Sequence, residues 1–78
     1  MVENELETYG MKAVGIKFNP GGLSEVEELK LIYARAIDIM HNLRTESESG
    51  EQKRLASVAI TESQTAQMWA VKAITWKD

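Results

Sequence analysis

The sequence predicts a mainly α protein: an antiparallel helical hairpin with an N-terminal arm, assembled as a symmetric homo-oligomer. Three observations carry this. A stripe of small residues (Ala56, Ala59, Ser63, Ala66, Ala70 and Ala73) recurs at spacings of 3 and 4, the seam of a helix that packs closely against other helices. A second helical segment precedes it across the polar run Thr45-Glu46-Ser47-Glu48-Ser49-Gly50, and so short a connection folds two helices antiparallel. Finally, 78 residues with no cysteine and one histidine lack the disulfides or zinc that staple small domains, so association supplies the missing stability.

Two regions follow: residues 1–22 as arm and turn, and residues 23–78 as the hairpin, with helices over about 24–44 and 50–75. The arm is acidic at Met1-Val2-Glu3-Asn4-Glu5. Apolar residues then alternate through Val14-Gly15-Ile16-Lys17-Phe18, a period of two that points to one short strand. Asn19-Pro20-Gly21-Gly22 is a turn. The arm either folds back over its own helices or reaches a neighbouring subunit.

The first helix opens on Ser24 and Glu27, spaced as a capping box, with Glu25, Glu27 and Glu28 at the positive end of the helix dipole. Val26, Leu29, Tyr33, Ile37, Met40 and Leu43 or Arg44 mark one apolar face, while Leu31, Ile32 and Ile39 lie elsewhere on the wheel. A helix with more than one apolar face needs more than one neighbour. The second helix carries the small-residue seam, with Thr61, Ser63, Gln64, Thr65 and Gln67 at its middle. Trp69 and Trp76, with Met68, are expected to pack the bundle end.

Charge and hydropathy exclude several classes. A net charge of −3 argues against a broad grip on DNA or RNA polymers. No apolar run approaches the roughly 20 residues of a membrane span. The acidic start lacks the basic and apolar regions of a secretory signal, so a soluble intracellular protein is expected. No nucleophilic cysteine is present, and the sole His41 sits near a helix C-terminus where a cation complements the dipole. No catalytic set, metal site or cofactor is expected.

Binding groups are better represented. Arg54, Thr61, Thr65 and Lys72 fall near one stripe of the second helix with Ser57 beside it, donors suited to phosphate oxygens or base edges. The competing interpretation is a solvated face with a salt bridge to the Glu-rich turn. Phe18, before Asn19-Pro20, is an aromatic on a loop, placed to stack on a base or to anchor the arm.

The block Arg54-Leu55-Ala56-Ser57-Val58-Ala59-Ile60-Thr61, followed by Ala66-Gln67-Met68-Trp69-Ala70-Val71-Lys72-Ala73, resembles the C-terminal hairpin shared by two kinds of phage anti-defence sponge. One kind sequesters the cyclic oligonucleotides of CBASS immunity, the other the cyclic ADP-ribose-type messenger of Thoeris immunity. Phe18-Asn19-Pro20, a turn and Val26-Glu27-Glu28-Leu29-Lys30 fit as well, so the resemblance spans most of residues 14 to 76. It implies a homohexamer, a trimer of dimers, acting in the cytoplasm of the infected bacterial host. It also implies sequestration of cyclic dinucleotides such as cyclic GMP–AMP, and of cyclic trinucleotides, without degradation. By position, Phe18 with Asn19 and Pro20, and Lys30, would clamp the dinucleotide, with Tyr9 as the competing aromatic. Arg54, Ser57 and Thr61 would line the trinucleotide pocket. A helical adaptor without a small ligand is the alternative from another class.

Overall fold

The computed structural model describes residues 7–78, which form three helices: α1 (Tyr9–Ala13), α2 (Ser24–Glu46) and α3 (Gly50–Ile74). The acidic start and the inference drawn from it about secretion lie outside the described residues. Among the described residues there is no strand, and no helix is long and apolar enough to cross a membrane.

The strand expected over Val14–Phe18 is instead a helix stop followed by turns. Thr8 caps α1, its side chain accepting from Met11 N at 3.1 Å. At the other end Gly15 takes φ +63°. Gly15 N donates to Lys12 O at 3.1 Å and Ile16 N to Met11 O at 2.9 Å, the paired bonds of a Schellman stop, which requires a left-handed residue at this point. Val14 is buried and Ile16 half-buried against one core. The apparent alternation therefore arises from a helix end that buries residues on either side of its terminating glycine.

The chain then turns twice, with Phe18 N donating to Gly15 O and Gly22 N to Asn19 O, each at 2.9 Å. The second is the expected Asn-Pro-Gly-Gly turn. The capping box does not form, because Leu23 is the extended residue before α2 and offers no side-chain hydrogen bond. Ser24 is already helical. Its place is set by Gly22 at φ +64°, which completes the reversal one residue earlier than a serine cap needs.

α2 and α3 pack antiparallel across Ser47-Glu48-Ser49, and Ser49 caps α3 by accepting from Gln52 N at 3.1 Å. Arg44 near the end of α2 bonds Ser57 near the start of α3. α2 buries Val26, Lys30, Ala34 and Ile37, and α3 buries Ala56, Ile60 and Gln67. The arm folds back over its own hairpin. Val14, Ala34, Ile37 and Ile60 form the core, with Met11, Ala13, Ile16, Tyr33 and Met40 around it. Gly10 lets α1 lie directly on α2: a Cβ there would stand 2.0 Å from Ala34 O. Gly10 N donates to Asp38 Oδ1 at 2.7 Å.

The small-residue stripe divides within one chain. Ala56 is buried, Ala59, Ser63 and Ala70 are half-buried, and Ala66 and Ala73 are exposed. Trp69, Trp76 and Met68 are exposed as well, so among the described residues they do not seal the end of the hairpin.

Candidate functional site

The arm turn and the two long helices meet around Lys30. Only 4% of Lys30 is exposed, and its Nζ donates to Gly15 O at 2.9 Å and, in a shorter bond, to Phe18 O. The sequence brings these together because two turns aim both carbonyls inward and Lys30 sits on the buried face of α2. Burial pushes the Lys30 ammonium below its usual pKa, since removing a charge from water disfavours it. No carboxylate pairs with it among the described residues, where the one ion pair is Arg54–Glu51. An ammonium has three donors, and the two carbonyls use two of them.

Phe18 lies over this cation with its ring centroid 5.5 Å from Nζ, yet it is 73% exposed. A cleft of about 500 Å³ opens beside it, lined by Lys12, Val14, Lys30, Gln64, Gln67 and Val71 among others. A smaller cleft of about 320 Å³ is lined by Asn19, Pro20, Leu23, Val26 and Thr75, and shares Phe18, Lys30 and Val71 with the first. An exposed aromatic plate over a cation that has no carboxylate partner among the described residues, beside two apolar-walled clefts, is chemistry for binding a flat ring that carries negative charge.

Sequence reasoning missed Gln67. It is 5% exposed and lies midway between Ile60 and Ile74, a polar residue on an apolar stripe, and that pattern was its available signal. It makes no side-chain hydrogen bond among the described residues. It is among the residues that line the larger cleft, beside Lys30. Gln64 instead donates to Ala13 O at 3.3 Å and ties α3 to the arm.

Tyr9 is placed elsewhere. Its ring stacks on His41 with centroids 4.2 Å apart, and Arg44 lies 5.4 Å over it. Arg44 Nη1 donates to Ser57 Oγ at 3.1 Å, and Nη2 approaches His41 Nδ1 at 3.4 Å. Tyr9 and Ser57 thus share a second cluster, apart from Phe18. Thr61 is exposed on α3. Arg54 is exposed and tied to Glu51 at 2.7 and 3.1 Å, which lowers the carboxyl pKa and raises that of the guanidinium. Within one chain, Arg54, Ser57 and Thr61 do not converge with Phe18 and Lys30.

These features define a small helical hairpin with an arm-built binding cleft. The model of the family described as Acb2/Tad1, hairpin domain, matches residues 11–75, and the chain belongs to that family. The match agrees with the sponge resemblance carried by the two α3 blocks. No curated protein and no solved structure matches the chain.

Proposed function

We propose that the protein is a phage sponge that sequesters cyclic dinucleotide messengers of CBASS immunity intact, in the cytoplasm of the infected host. The observation that carries this is Phe18, exposed over the buried Lys30 ammonium at the mouth of the cleft. One base stacks on Phe18, a contact worth about 1–3 kcal/mol. The third donor of Lys30 meets a phosphate oxygen, Asn19 and Pro20 frame the ring, and Gln67 bonds a base edge from the floor. Lys12, at the rim of the same cleft, adds a second cation.

A cyclic dinucleotide has two bases and two phosphates, and one chain offers one aromatic and one buried cation. Two copies about a two-fold axis supply both halves. The assembly proposed is the hexamer, with α3 contributing the exposed Ala66 and Ala73 of its small-residue seam to neighbouring chains. In that assembly Arg54, Ser57 and Thr61 line the site for cyclic trinucleotides, and the Tyr9 cluster holds Ser57 in place through Arg44.

Sequestration is tested by incubating the protein with cyclic GMP–AMP, cyclic triadenylate and the cyclic ADP-ribose-type messenger in turn, then denaturing it and recovering the ligand. Intact cyclic dinucleotide is the expected product. A linear product refutes the sponge. Depletion of the ADP-ribose messenger alone transfers the role to Thoeris immunity, and depletion of none leaves the adaptor.

A further inference from the structure

We infer that the outward face of α2 is a second self-association surface, where two copies pair antiparallel about a two-fold axis passing between Leu31 and Ile32. The buried face of α2 carries Val26, Lys30, Ala34 and Ile37. At 3.6 residues per turn, Glu28, Leu31, Ile32, Arg35 and Ile39 fall on the opposite side. Leu31, Ile32 and Ile39 are 42%, 61% and 53% exposed, an apolar strip with no neighbour in the described chain. Glu28, Leu31, Ile32 and Arg35 line one shallow groove, and neither charge forms an ion pair among the described residues.

The charges choose both partner and register. In the antiparallel arrangement centred between Leu31 and Ile32, Leu31 meets the partner's Ile32 and Glu28 meets the partner's Arg35, each contact made twice. Ile39 covers the partner's Leu23–Ser24 junction, where Leu23 is also exposed. A parallel pair would set Glu28 against the partner's Glu28, a repulsive contact. Moving the antiparallel partner along by a few residues sets Glu28 on Ile39 and Arg35 on Ile32, desolvating both charges without a counter-ion. The surface is self-complementary in one register, as an isologous interface requires.

A 23-residue helix is roughly 34 Å long, and one such strip covers less than the about 800 Å² per partner of a standard interface. The contact therefore closes one two-fold of a larger assembly, and in that respect it rests on the oligomer proposed above. Native mass spectrometry of the full chain at fixed concentration tests it. E28R sets two cations opposite each other and R35E two carboxylates, so each alone should lower the mass at least twofold, and the double variant E28R/R35E should restore it. Glu28 and Arg35 are both exposed, so helical circular dichroism should stay unchanged. With no native cysteine, Ile32→Cys should oxidise to a covalent dimer. Wild-type mass in both single variants, failure of the double variant to recover, or no covalent dimer overturns the inference. Ala66→Leu reports on the α3 seam separately: if it alone lowers the mass, the α2 contact is wrong and the assembly stands. If the reversals alone lower it, the α2 contact stands and the seam does not.

Discussion

Replacing Lys30 with methionine keeps the length of the apolar stem and removes the ammonium that holds the arm turn. Two charge-assisted bonds, to Gly15 O and Phe18 O, are lost, each worth about 1.5–3 kcal/mol. Relief from burying a charge and water reaching the freed carbonyls at the cleft mouth offset part of this, leaving a net loss of about 2–3 kcal/mol. For a chain of this size about 1 kcal/mol shifts Tm by roughly 4–8 °C, so the melting point should fall by about 10–20 °C at fixed protein concentration. Trypsin should also cleave the arm at Lys12 and Lys17 sooner than in wild type. The pH dependence gives a second signature. The folded pKa of Lys30 lies below 10.5, so between those values the unfolded chain holds more protons and this group's contribution to stability rises with pH. Messenger affinity should fall through the same window as the ammonium loses its charge, and Lys30→Met should show neither trend. An unchanged Tm with an arm still protected from trypsin would refute the assignment of Lys30 as the clasp of the arm.

Gly10→Ala drives a methyl into the Ala34 carbonyl, a backbone contact that cannot yield as a side chain does. α1 should lift from α2, with faster proteolysis of the arm and about 1–3 kcal/mol of stability lost in thermal denaturation. Gln67→Met replaces an amide without a bonding partner in the described chain by an apolar group of like volume, so Tm should hold or rise while calorimetry shows weaker messenger binding. Ala66→Leu should overpack the close helix contact of the assembly and lower the mass seen by light scattering. Wild-type mass in that variant would remove α3 from the interface.

The hairpin was legible because its signals are local. Period and polarity placed α2 and α3 to within two residues at either end, and the Asn19–Gly22 turn announced itself by composition. The arm was not legible in the same way. Val14–Phe18 alternates as a strand does, but Thr8 and Gly15 fix a one-turn helix whose docking depends on Gly10 meeting Ala34, a contact between distant residues. The same limit applies to the cleft. Phe18 and Lys30 are singled out by residue type and by resemblance, and the structure places them together. Gln67 joins them only because the hairpin sets the middle of α3 beneath the arm. Glu27 lies one turn before Lys30 on the same helix, and burial of Lys30 on the inner side of α2 keeps the two from pairing. Arg54 shows the reverse: its spacing suggested a phosphate donor, and within one chain its guanidinium is held by Glu51, three residues before it.

Calorimetric titration of wild type and Phe18→Ala with cyclic GMP–AMP tests the binding cleft most directly. Phe18 is exposed, so its removal should leave the fold and assembly mass unchanged. Each ligand meets two Phe18 rings, so losing both base stacks, at about 1–3 kcal/mol each, weakens binding by roughly 30- to 25,000-fold at each site. Wild-type protein should bind tightly with one ligand per two chains. Equal affinity in the two proteins, or no heat of binding to wild type, would contradict the cleft as the messenger site.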